Sequence, residues 1–188
     1  MLRSAPRVSR RTPTKRRSTD VPSTTELYLV RHGIAAERGP DFPDDSKRPL
    51  VQKGIVRLRQ SAQGLAALDV AFDVILTSPL TRARQTADVL AEGLPGKPAV
   101  HVIQSLAPGG TFTAFAEELE KYSKRSRIAC VGHEPDLGQL AAKLIGARRP
   151  LEFKKGAICR IDLDGIPLNG PGHLRWFAPP RMLRRAAK

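Results

Sequence analysis

"ELYLVRHGIAAE", residues 26 to 37, decides how the rest of the chain is read. Leu27 to Val30 make a short uninterrupted apolar run, the signature of a strand covered on both faces. The run stops at Arg31, His32 and Gly33. A cation, an imidazole and a residue without a side chain do nothing for a core. They are suited to meeting a ligand, and Gly33 lets the backbone come close to it.

Outward from this strand, apolar runs alternate with helical stripes. A broken polar loop, "RGPDFPDDSKRP" (38–49), follows, and no regular structure is expected there. Ile55, Leu58, Ala62 and Leu65 recur at steps of three and four, as on an amphipathic helix. "DVILTS" (73–78) reads as a second strand, with Pro79 in the first turn of a helix striped by Leu80, Ala83, Ala87 and Leu90. "AVHVI" (99–103), a helix over 111–122 capped by Thr111, "RIACVG" (127–132) and a helix marked by Leu137, Leu140, Leu144 and Ile145 come next. "AICRIDL" (157–163) and "HLRWF" (173–177) alternate more and read as a closing antiparallel pair around "NGPG". The pattern predicts a three-layer α/β/α sandwich with a mainly parallel sheet and antiparallel last strands.

The chain has 188 residues and a formal net charge of +14. That charge sits mostly at the ends: +6 in residues 1–25, +4 in residues 181–188, and +4 between them. Nucleic acid is therefore not expected as a partner of the folded part. Residues 1–25, rich in Arg, Ser, Thr and Pro, cannot bury enough surface to fold alone. They are expected to be a disordered basic tail ahead of one domain, 26–185. A transit peptide and a nucleic-acid arm are weaker readings of the same segment than a plain disordered tail or an upstream start codon. No run approaches the roughly 18 apolar residues of a membrane span, so no membrane partner is expected. Cys130 and Cys159 lie in apolar strand-like runs and read as buried thiols. A cytoplasmic protein is the expectation.

In open α/β sheets, ligands bind beyond the carboxyl ends of the strands. Three ends here carry polar groups: Arg31-His32-Gly33, Thr77-Ser78 leading to Arg82, and Gly132-His133 followed by Glu134-Pro135. The remaining histidines, His101 and His173, fall inside strand-like runs. A cation in a helix's first turn opposes the helix dipole by about 0.3–1 kcal/mol, and an anion beside it would remove the conflict. Two histidines and two arginines at one edge describe a phosphoryl pocket. Arginine grips phosphoryl oxygens with a planar fork, and a neutral imidazole is a nucleophile near pH 7.

"LVRHG", "TSPLTRARQTA" and "VGHEP" together resemble the histidine phosphatase superfamily, the phosphoglycerate-mutase-like proteins. "KRPLVQKG" (47–54), "SLAPGG" (105–110), "FKKGAICRIDL" (153–163) and "LRWFAPPRML" (174–183) are similar to SixA-type phosphohistidine phosphatases. The resemblance covers residues 26 to about 185. It implies that His32 is a nucleophile that becomes phosphorylated, with Arg31, Arg82 and His133 holding the phosphoryl oxygens. Arg48 would touch substrate. It implies a phosphatase needing neither metal nor cofactor, acting on phosphohistidine of a protein or on a small phosphorylated substrate.

The general acid that many relatives use on alcohol leaving groups has no evident counterpart. Asp44, Asp45 and Glu134 are candidates by proximity in sequence alone. An absent acid favours phosphohistidine, because imidazole leaves more easily than an alkoxide. The alternatives are a phosphatase of small phosphate esters, a mutase, or a binding protein that has lost catalysis. The last predicts an eroded motif, and none is eroded.

Overall fold

A computed structural model describes residues 24–187. Apart from its last two residues, the basic tail expected over 1–25 lies outside the described residues. Thr25 already belongs to the first strand, one residue ahead of the expected boundary.

In chain order the elements are β1 (Thr25–Arg31), α1 (Gln52–Ala67), β2 (Val74–Thr77), α2 (Thr81–Gly93), β3 (Ala99–Val102) and α3 (Phe112–Glu120). After them come β4 (Arg127–Gly132), α4 (Asp136–Ile145), β5 (Ile158–Leu163), β6 (His173–Ala178) and α5 (Pro180–Ala186). The strands form one six-stranded sheet, ordered β3-β2-β4-β1-β5-β6. β3, β2, β4 and β1 run parallel, while β5 is antiparallel to both β1 and β6.

Successive side chains of β1 serve opposite faces of the sheet, which explains its uninterrupted apolar run. Leu27 and Leu29 join the cluster containing Phe115 and Leu119 of α3 and Leu137, Ala141 and Leu144 of α4. Tyr28 and Val30 join the other cluster, with Ala62 and Leu65 of α1, Ala83, Ala87 and Leu90 of α2, and Leu183 of α5. Helices therefore cover both faces, giving the α/β/α sandwich. Cys130 and Cys159 are buried free thiols on β4 and β5, each beside Leu29 of the intervening β1. Burial pushes both thiols up, Cys159 to about 12. No helix among the described residues is long and apolar enough to cross a membrane.

Three local expectations need correction, and one helix was not anticipated. Pro79 does not open α2: Leu80 is still extended, its N–H donating to Ser78 Oγ at 3.3 Å, and the helix starts at Thr81. Glu134-Pro135 likewise precedes α4, with Pro135 as its N-cap. The 38–49 loop contains a 3-10 turn, Asp45–Lys47, capped by the Asp44 side chain. Finally, "PPRML" starts α5, which begins at Pro180 and whose one fully buried anchor is Leu183. A seven-residue helix with one buried residue leaves no apolar stripe to detect.

α1 and α5 touch at Gly64, where a Cβ would overlap the Leu183 carbonyl. Gly→Ala inside a helix normally stabilises by roughly 0.5–1 kcal/mol. Here the obstacle is backbone, so Gly64→Ala should instead destabilise by about 1–3 kcal/mol. Urea unfolding checks this: the midpoint should fall with the slope unchanged. A raised midpoint would mean that α5 shifts away at no cost.

Candidate active site

The site is built by register. β1 and β4 pair in parallel with Arg31 opposite Gly132, and the His32 N–H donates to the Gly132 carbonyl at 3.1 Å. The next residue on each strand is a histidine, so His32 and His133 leave the sheet side by side, ring centroids 5.1 Å apart. β2 lies on the other side of β4, and the Ser78 N–H donates to the Val131 carbonyl at 3.0 Å. The chain then turns into α2, whose second residue is Arg82.

Both imidazoles are buried, and their partners fix their protons. His32 Nδ1 lies 2.7 Å from the Gly33 carbonyl oxygen. A carbonyl only accepts, so Nδ1 carries the proton and the Nε2 lone pair is free. His133 Nε2 lies 2.8 Å from Ser78 Oγ. That hydroxyl accepts from the Leu80 N–H and keeps its own proton available for Nε2, the arrangement that places the proton of a neutral His133 at Nδ1. Burial lowers the His32 pKa to about 4, helped by the charges of Arg82, Arg31 and Lys155 and opposed by the Gly33 carbonyl. Burial also lowers His133 to about 3, with His32 and Arg82 adding to it. Both rings are neutral at pH 7.

The arginines are held just as firmly. Arg31 Nη1 donates to the Phe153 carbonyl at 2.5 Å. Arg82, 3% exposed, uses both ends of its fork on Asp45: Nη1 to the backbone carbonyl at 2.8 Å and Nη2 to Oδ2 at 2.9 Å. Arg48 donates to Asp45 Oδ1 at 2.9 Å and to the Ala36 carbonyl at 2.5 Å, and Arg38 reaches the same Oδ1 at 2.9 Å. The anion that relieves Arg82 against the α2 dipole is thus supplied by the chain itself.

The five residues singled out in the sequence, Arg31, His32, Arg48, Arg82 and His133, line one open cleft of about 1000 Å³. Asp45 and Glu134 line it too, whereas Asp44, His101 and His173 do not. Among the described residues, four buried side-chain polar atoms have no partner, and three belong to this cleft: Arg31 Nε, Arg82 Nε and His133 Nδ1. The two arginine atoms are N–H donors, and His133 Nδ1 is one when Ser78 donates to Nε2. Unmet buried polar atoms are rare in native structures, and three on residues lining one cleft suit an anionic ligand.

The candidate acids separate cleanly. Burial would raise Asp45, but the hydrogen bond from Arg48 and the charge of Arg82 outweigh it and hold it at about 2. It is committed as a carboxylate. Glu134 is raised, chiefly by burial, while the Phe153 N–H and Arg31 oppose the shift. No group of three or more His, Cys, Asp or Glu among the described residues is placed to hold a metal ion. Sequence reasoning passed over Ser78 as the partner of His133, Asp45 as the clamp on the arginines, and Lys155 in the cleft wall. Each gains its role from a contact with another segment, which no local pattern announces.

Comparison with known proteins agrees with this geometry. The family model of the histidine phosphatase superfamily, branch 1, matches residues 27–106. An uncharacterised protein of Picosynechococcus sp. is 48% identical over 137 residues, covering 71% of this chain and 82% of that protein. Phosphohistidine phosphatase SixA of Escherichia coli is 29% identical over 163 residues, covering 86% and 98%. The solved structure of the protein histidine phosphatase SixA complexed with tungstate superposes with a TM-score of 0.75 at 28% identity, over 85% of this chain and 99% of that one. With the sheet order, the paired histidines and these matches in agreement, the chain belongs to the histidine phosphatase superfamily.

Proposed function

We propose that this protein is a metal-independent phosphatase that works through a phosphorylated His32 and removes the phosphoryl group from phosphohistidine on a protein. The observation carrying this reading is the meeting of a free imidazole lone pair, His32 Nε2, with three unmatched buried donors in one cleft. Residues 26–185 are read as the catalytic domain.

In the first step His32 Nε2 attacks phosphorus and the bond to the leaving imidazole nitrogen breaks, its electron pair leaving with that nitrogen. Arg31, Arg82 and the His133 Nδ1–H meet the charge on the equatorial oxygens. Arg48, which shares Asp45 with Arg82 in the cleft wall, holds the substrate. In the second step water attacks the phosphorylated His32, releasing phosphate and restoring the imidazole. Three arginines supply the positive charge that metal ions supply in other phosphoryl-transfer sites. The likeness to SixA supports phosphohistidine as substrate, and the open cleft suits a protein-borne group. Two buried free thiols fit a cytoplasmic setting.

A second reading, a phosphatase of small phosphate esters, is favoured by Glu134 alone. It lines the cleft and its carboxyl is held above the ordinary range, as a general acid requires.

Phosphate release from a phosphohistidine peptide and from an alkyl phosphate, measured in parallel, decides between the two. The phosphoramidate should be strongly preferred, His32→Ala should lose more than about 1000-fold, and Glu134→Gln should leave its turnover within about threefold. A preferred ester whose hydrolysis collapses in Glu134→Gln would establish the second reading. Activity surviving in His32→Ala would remove the mechanism.

The histidines also predict pH behaviour. The unfolded chain binds protons at these imidazoles near pH 6.5, whereas the folded chain does so only near 4 and 3. Between those values the unfolded state holds more protons, so stability must fall as pH drops from about 6.5 toward 4. Ring resonances of His32 and His133 should titrate below pH 5, and His133→Gln should flatten the acid loss of stability. A midpoint near 6.5 for either ring would contradict the buried neutral pair.

A further inference from the structure

α1 and α5 pack against each other and carry six basic residues, Lys53, Arg57, Arg59, Arg181, Arg184 and Arg185, with no acidic one. None of the six forms an ion pair among the described residues. Elsewhere the fold pairs its arginines readily: Arg160 and Arg175 share Asp162, and Arg38, Arg48 and Arg82 share Asp45. Like charges crowded on two packed helices repel, and the Arg184 pKa is lowered by its burial and by Arg57 and Arg181. The fold tolerates this cost without compensating it.

The basic face is continuous with the cleft. Lys155 lines both the cleft and a small groove that passes Gly33, Arg57 and Arg184. Arg184 in turn lines a wider depression of about 400 Å³ with Gln60, Arg181 and Arg185. No acidic side chain lines either groove, whereas Glu37, Asp45, Glu134 and Asp136 all line the cleft itself. The cations thus run away from the cleft in one direction.

We propose that this face, from Lys155 across Arg57 and Arg184 to Arg181 and Arg185, docks an acidic surface of the phosphohistidine-bearing protein while its phosphoryl group enters the cleft. The inference rests on the protein-borne substrate proposed above. Charge complementarity selects an anionic partner, and continuity with the cleft selects one that also delivers the phosphoryl group. Exposed Met182, 61% accessible beside Arg181, gives a protein surface an apolar contact that a phosphate backbone cannot use. Because the contacts are exposed charges, the gain should lie in encounter and KM, and should weaken as salt shortens the screening length to about 8 Å at 0.15 M.

The probes are a phosphohistidine peptide with glutamate-rich flanks, the same peptide with glutamine flanks, both in unphosphorylated form for binding, and phosphoimidazole. Wild type should bind and turn over the glutamate peptide about tenfold better than the glutamine peptide, through KM, with the gap closing at high salt. Arg181→Glu/Arg185→Glu changes two exposed residues remote from His32. It should abolish the preference and leave phosphoimidazole turnover intact, which also reports a folded enzyme. The neutral pair Arg181→Gln/Arg185→Gln should fall between. Equal handling of the two peptides by wild type, or an unchanged preference in the glutamate variant, overturns the proposal. So does a single-stranded oligonucleotide that binds through these arginines while the peptides are treated alike. Binding is read without catalysis, so a preference for the glutamate peptide alongside no phosphohistidine turnover would sink the activity assigned above and leave the acidic docking standing.

Discussion

The site depends on one constraint, the in-register parallel pairing of β1 and β4. Because Arg31 lies opposite Gly132, the histidines that follow emerge at the same height on adjacent strands. Neighbouring strands are about 4.8 Å apart, and the two rings, 5.1 Å between centroids, keep that spacing. A slip of one residue would send one imidazole to the opposite face of the sheet. Tyr28 and Val30 under α1 and α2, and Leu27 and Leu29 under α3 and α4, make such a slip costly. Core packing and the geometry of the cleft are therefore one requirement: the residues that bury β1 on both faces also set the position of His32.

The electrostatics follow from where that edge lies. Burial strips water from His32 and His133, and the nearby guanidinium groups make further positive charge unwelcome there. The imidazoles stay neutral while the arginines, which do not lose their protons, stay charged. Neutral imidazoles and charged guanidinium groups thus share one cleft without competing for a proton. The orientation of each ring is settled one layer out, by the Gly33 carbonyl and by Ser78, which is itself anchored to the Leu80 N–H. Substituting Ser78 would disturb the tautomer of His133 without touching the ring.

Much of this was legible in the chain because it is local. An unbroken apolar run means a strand buried on both faces, and a polar tripeptide after it means a strand end facing a crevice. β1, β2, β4, the α1 and α4 stripes and the Thr111 cap all follow from such signals. α5 did not, because its stability comes from one buried leucine and the groove that Gly64 opens in α1. The start of α2 differs for a similar reason: Pro79 suits a first turn, but Leu80, whose N–H donates to Ser78, is still extended and the helix begins at Thr81. The site residues stood out by type and position. Their partners did not, since Asp45 meets Arg82 across 37 residues and Ser78 meets His133 across 55.

Asp45 shows why the question of the acid is one of structure. In sequence it was a carboxylate near the right loop, as good a candidate as Asp44 or Glu134. In the fold it binds Arg38, Arg48 and Arg82 together, and a carboxylate so paired has no proton to give at neutral pH. Its contribution is to place guanidinium groups around the cleft, and it occupies the Arg82 fork that an incoming anion would otherwise meet. An anion entering the cleft therefore meets Arg82 with both ends of its fork already on Asp45, while Arg31 Nε, Arg82 Nε and His133 Nδ1 are still without partners.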